Sequence, residues 1–168
     1  HGFEQTVAGV LEVLRRFGDS IDRWVSEPDQ GIFDGMNRAL AMAAGELVKV
    51  HAADDVMPSN SAEKAVAAWL EDGRGEVVVR SDLDIIDADG QPVSTASATT
   101  QFRYVPAILH PTWYVPMRVY ERFGLYDPYG AVASDYEMYF HLQSHGVRFL
   151  HAPGVLARFR RGRASTST

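Results

Sequence analysis

The chain has 168 residues, 46% hydrophobic and 23% charged, the balance of one folded domain with a single core rather than a disordered segment. A net charge of −6 and a pI near 5.4 argue against a general nucleic-acid binder. The absence of cysteine excludes a disulfide scaffold, a thiolate zinc site and a cysteine nucleophile, and it fits a reducing, cytoplasmic compartment.

No apolar stretch approaches the ~20 residues that span a bilayer, and no signal-peptide pattern opens the chain. The first residue is His1, which predicts a piece of something longer. Val7, Val10, Leu11, Leu14 and Phe17 recur at helical spacing, with Gly18 at the position of a C-terminal cap. Ile21 to Val25 reads as a short strand leading into a polar loop from Ser26 to Gln30. Ile32 to Ala44 is a predicted helix closed by Gly45, and Leu47 to His51 a strand. After Asp54 and Asp55, a helix is expected from Ser61 to Glu71.

Glu76 to Arg80 and Leu83 to Asp87 read as strands, and Ala88 to Gln91 as a hairpin turn. Ser94 to Thr100 is small and polar and reads as a mobile loop. Thr112 to Val115 reads as a strand, with Pro116 opening a helix that Gly124 ends. Tyr136 to Ser144 is a further helix, followed by strands from Val147 to Leu150 and from Val155 to Phe159. This order predicts an α/β domain with a mixed sheet flanked by helices.

The run from Ser26 to Asp55 carries the densest chemistry. It joins a polar loop, a small-residue helix, a buried strand and a pair of aspartates. A helix N-terminus offers free N–H groups to an anion. Two carboxylates after a strand offer oxygen ligands to a hard divalent cation. Adjacent carboxylates repel, so a Mg²⁺ or Mn²⁺ bridging them to a diphosphate would supply the missing counter-charge. The plainer alternative is that Asp54 and Asp55 cap the next helix or face solvent. Glu27, Asp29, Asp34 and Asn37 crowd the preceding loop with Gly31 and Gly35. Such a loop can wrap a base, ribose or sugar, or it can be an acid-rich cap region that the helix dipole favours.

SEPDQGIFDGMNRALAMAAGE followed by ADD resembles the family 2 glycosyltransferases, inverting enzymes of the GT-A fold, whose form there is close to SEPDxGIYDAMNKG, a strand and an acidic pair. SDLDIIDADGQPV resembles the family's hairpin, and the segment from HPTWYVP through SDYEMYFHLQSHGVRFLHAPGVLARFR its acceptor half. The resemblance covers about Leu11 to Arg160. It implies a GT-A-like, Rossmann-related sheet, with 1–57 as the remaining donor and metal half, 58–160 as the acceptor half and 161–168 as a tail. It implies that Asp55 with Asp54 holds Mg²⁺ or Mn²⁺ and the donor's diphosphate, and that Asp135 is the general base. Glu27, Asp29, Asp34, Asn37 and Arg38 fall beside the nucleotide-sugar donor, with Arg38 placed to meet phosphate. His110, Thr112 and Trp113 border the acceptor, and Trp113 is placed to stack on a sugar ring. Read from the residues alone, Asp135 or Ser134 is equally an N-cap.

The family's N-terminal strand and helix have no counterpart here, FEQTVAGV stands where its acidic loop falls, and RRGRAS replaces a glycine pair before serine. The expectation is an N-terminally truncated member, whose exposed sheet edge would suit a homodimer. The expected activity is sugar transfer with inversion from a nucleotide sugar to a glycan, lipid-linked or small acceptor. The alternatives are a non-catalytic binding or assembly module and a metal-dependent phosphohydrolase. Arg158, Arg160, Arg161 and Arg163 read as a frayed basic tail or as a contact to diphosphate or an anionic membrane surface at its inner face. His141 and His145 lack a third ligand, and Trp24, Trp69 and Trp113 read most simply as core.

Overall fold

A computed structural model describes residues 2–99, 108–129 and 134–161, with side chains in the first helix from residue 9 onward. The elements are helix α1 (Gly2–Arg16), α2 (Ile32–Met42), strand β1 (Leu47–Val48), α3 (Ser61–Glu71), β2 (Val77–Ile86), β3 (Pro92–Ala96), β4 (Val115–Pro116), α4 (Met117–Phe123), α5 (Ser134–Ser144) and β5 (Arg148–Arg160). Short 3₁₀ turns lie at Gly18–Ser20 and His110–Thr112.

Strand β2 is the centre of the sheet. It runs parallel to β5 and antiparallel to β3, while β1 and β4 form a separate antiparallel ladder. The two ladders meet where Val79 and Tyr114 exchange backbone hydrogen bonds of 2.9 and 2.8 Å. The three valines Val77, Val78 and Val79 are all buried, as a strand covered on both faces requires. Their alternation sorts the core into two layers. Val78 packs with Phe33, Leu40, Val119 and Leu142 from α2, α4 and α5. Val77 and Val79 pack with Ala65 and Trp69 of α3. The result is a mixed α/β sheet flanked by helices.

Helix α3 occupies the residues its pattern predicts, and α2, α4 and α5 agree to within the terminal turn. Gly124 and Gly146 end α4 and α5 with φ of 97° and 81°, a conformation that a side chain would strain. Several expectations are corrected. Ile21–Val25 is no strand: among the described residues no edge pairs with it, and Trp24 and Val25 are exposed. Of the expected apolar face of α1, Val10 and Phe17 are about half exposed, while Leu11 and Leu14 are partly buried.

The strands expected at 76–80 and 83–87 are one strand, and so are those at 147–150 and 155–159. Buried Ser81 makes this continuity workable: its hydroxyl accepts from Leu156 N–H at 2.8 Å where the β2–β5 register shifts. The surplus residues of β5 lie within Ala152–Gly154 and at Leu156, and Gly154 takes φ 86°. Ser94 and Thr95, expected in a loop, pair with Ile85 and Asp84 in β3. Thr100, Gly130–Ala133 and Arg163 lie outside the described residues.

Candidate functional site

The polar loop before α2 is organised around Arg38. Its guanidinium donates to Glu27 at 2.5 Å, to the Pro28 carbonyl at 3.0 Å and to Asp34 at 2.8 Å. Asp34 also accepts from Gln30 N–H at 2.9 Å, and Asp29 from Gly31 N–H at 3.0 Å. The Gln30 N–H first, and then Arg38, hold the Asp34 carboxyl below its usual range. Glu27, Asp34 and Arg38 therefore hold one another, while Asp29 holds the backbone of the same loop. Arg38, expected to face phosphate, is already engaged by three oxygens of its own loop.

Asn37 is committed elsewhere. Its side-chain amide donates to the Tyr126 carbonyl at 2.7 Å and accepts from Tyr126 N–H at 3.1 Å. This amide clamp fixes Tyr126, whose hydroxyl meets His110 Nε2 at 2.7 Å and the Tyr120 hydroxyl at 2.9 Å. Burial, and next the charge of Lys49, push the His110 imidazole down to about 4, so it is neutral at pH 7. Burial pushes the Tyr126 phenol well up, the Tyr120 hydroxyl adds to that shift, and the nearby Asp135 carboxylate adds again.

Asp135 stands in the first turn of α5, where the helix N-terminus favours negative charge. One carboxylate oxygen accepts from Tyr136 N–H at 2.8 Å. Burial nevertheless raises its carboxyl above the ordinary range.

The acidic pair is divided in environment. Asp55 is buried at 9% exposure, while Asp54 is exposed. Asp55 accepts from Arg160 N–H at 3.1 Å, and the Val56–Arg158 bridge holds the segment against β5. Burial raises the Asp55 carboxyl, and Asp54 adds to this, while the Arg160 N–H, His51 and Lys49 oppose it. The Arg160 side chain belongs to the same unit. It donates to the carbonyls of Asp54 at 2.9 Å, Asp87 at 3.0 Å and Ala88 at 2.6 Å. Arg160 is thus no frayed tail but a strand residue joining the acidic pair to the β2–β3 hairpin. The run of arginines at the C-terminus hides this role, since it depends on carbonyls distant in sequence.

Lys49, whose role sequence reasoning missed, completes the site. Its Nζ donates to the Pro111 carbonyl, beside His110. Burial brings its ammonium down to about 8, against the opposing pull of Asp55. Hydrogen bonds join Lys49 to Pro111 and the adjacent His110 to Tyr126, while the carboxylates of Asp55 and Asp135 act on Lys49 and Tyr126 only through their charge. The signal available in the sequence was a lone lysine in an apolar strand.

No family model and no curated protein matches the sequence. Among solved structures, S. aureus TarS (residues 1–349), a family 2 glycosyltransferase, superposes with a TM-score of 0.62 at 16% identity. The match covers 89% of this chain, which spans 47% of that chain. The fold is GT-A-like.

Within this GT-A-like fold, the other expected contacts divide clearly. Thr112 and Trp113 belong to the core at 0% and 3% exposure. The Thr112 hydroxyl donates to the Leu109 carbonyl at 2.8 Å and accepts from Ser81 N–H at 3.2 Å. Trp113 packs against His110, Tyr139 and Phe149 and offers no face for a sugar. Of that trio, His110 connects to the Asp135 side through Tyr126. Among the described residues no group of three His, Asp or Glu side chains could hold a metal ion. Two adjacent carboxylates still fit Mg²⁺ or Mn²⁺, which are commonly held by one or two carboxylates with substrate phosphates and water completing the shell. His141 and His145 lie 4.5 Å apart and hydrogen-bond to the carbonyls of Phe123 and His141, respectively, as packed histidines do. Among the described residues no helix is long and apolar enough to cross a membrane.

Proposed function

We propose that this chain is a glycosyltransferase domain that moves a sugar from a nucleotide-diphosphate sugar to a glycan, lipid-linked or small hydroxyl acceptor, with inversion. The observation that carries the reading is the GT-A-like fold, in which the acidic pair Asp54 and Asp55 and the raised Asp135 carboxyl are the groups suited to the chemistry. Inverting transfer needs charge stabilisation at the leaving diphosphate and a proton acceptor on the opposite side of the anomeric carbon. Asp54 and Asp55 would hold Mg²⁺ or Mn²⁺, which supplies that stabilisation when bound.

Asp135 takes the acceptor hydroxyl's proton. Its raised carboxyl makes it a stronger base than an exposed aspartate, and the α5 N-terminus keeps the charged form accessible. Tyr126 stays protonated and, through the Asn37 clamp, keeps the donor-side helix in register with that base. The test is transfer or hydrolysis of a set of UDP-, GDP- and dTDP-sugars with Mn²⁺. Activity that disappears in Asp135→Asn while nucleoside-diphosphate binding persists supports the assignment. Activity unchanged in that variant overturns it.

A second reading, a binding or assembly module without catalysis, is favoured by one specific observation. The expected donor-side groups Glu27, Asp34, Asn37 and Arg38 already satisfy one another or the Tyr126 backbone. A folded chain that takes up no nucleoside diphosphate would select this reading.

A further inference from the structure

Lys49 is the one charged residue in the apolar run Leu47–Val50. Strands β1 and β4 pair at Leu47–Pro116 and Val48–Val115. Continuing that register would set Lys49 opposite Tyr114. The ladder ends there because Tyr114 gives its own N–H and C=O to Val79, and the His110–Thr112 turn leads the chain away. At this fork the lysine side chain replaces the missing backbone bonds. Its Nζ donates to the Pro111 carbonyl, and the ammonium lies 5.2 Å from the centre of the Tyr114 ring. Six residues further along, beyond the end of β1, stands Asp55, whose carboxylate opposes the loss of the Lys49 charge without forming an ion pair with it.

Lys49 makes no ion pair among the described residues. A partly buried ammonium without a bonded carboxylate is costly, and a methionine would fill the same space without that cost. Packing alone therefore does not account for lysine here. We propose that Lys49 is a positioning residue that ties the acidic pair to the His110–Thr112 turn and so sets the spacing between the two ends of the site. The functional consequence rests on the glycosyltransferase reading. The tie itself does not.

Hydrogen–deuterium exchange on the 168-residue chain separates the two. In Lys49→Met, the amides of Asp55, Val56, Thr112 and Trp113 should exchange about tenfold faster, with Val77–Val79 unchanged, because only the local opening is affected. Calorimetry with UDP and Mn²⁺ should then show affinity weakened by about tenfold in a variant whose melting temperature is equal to or above that of the wild type. Unchanged exchange at either segment would overturn the proposal. Faster exchange by the same factor at Val77–Val79 would also overturn it, making Lys49 an ordinary core residue. If Lys49→Met does not fold, Lys49→Gln is judged by the same criteria. A wild type silent to UDP, with the exchange pattern as expected, refutes the donor reading and leaves the tie standing.

Discussion

Acidification should destabilise the domain through His110. Burial brings this imidazole from 6.5 to about 4 in the folded chain. A histidine whose folded pKa is depressed binds its proton more readily when unfolded. Its contribution is therefore complete above the unfolded value and is lost as pH falls from 6.5 toward 4. The same linkage gives a loss of about 2 kcal/mol by about pH 5 and about 3 kcal/mol by about pH 4. His51, also held down by burial, acts in the same direction, whereas the raised carboxyls of Asp55 and Asp135 oppose it. A difference measurement isolates His110. Urea unfolding of wild type and His110→Gln at several pH values should give curves that converge on acidification, since the glutamine cannot titrate but can still hydrogen-bond to Tyr126. Parallel curves, or an imidazole titrating near 6.5 by NMR, would refute a buried neutral His110.

Asn37→Ala should cost about 2–4 kcal/mol, because it leaves the Tyr126 N–H and carbonyl without partners in a partly buried place. Urea unfolding with an unchanged m-value checks this, and a cost below about 1 kcal/mol would show that the clamp is replaced by water. Arg160→Met removes three guanidinium contacts to carbonyls but leaves the backbone bond to Asp55 intact. It should raise exchange across Asp87–Gln91 with a stability loss of about 1–3 kcal/mol, and unaltered exchange there would contradict the clamp. Asp135→Asn should leave the melting temperature within a few degrees of wild type while abolishing transfer, measured by release of nucleoside diphosphate.

The sequence carried the helices well, because their 3.6-residue periodicity and terminal glycines are local signals. Helix α3 and the ends of α4 and α5 depended on nothing distant. Strands were less legible. Ser81 and the Pro153–Gly154 pair look like breaks, yet they lie within long strands because partners across the sheet absorb the irregularity. Ile21–Val25 has the composition of a strand and, among the described residues, no edge to join. The site shows the same division. The residue types at Asp54, Asp55 and Asp135 stood out by motif and order. What holds them, through Lys49, His110, Tyr126 and Arg160, depends on contacts between residues as far apart as Asp54 and Arg160. That Trp113 is core rather than a sugar platform depends on its neighbour Tyr114 pairing with Val79 of β2.

The central claim is that the acidic pair receives the phosphates of a nucleotide sugar. Calorimetric titration of UDP, GDP and dTDP, with and without Mn²⁺, tests it most directly. The account predicts that at least one of them releases heat with Mn²⁺, and that Asp55→Ala removes the response while preserving the folded state by circular dichroism. No heat from any of the three, with a folded wild type, would contradict it.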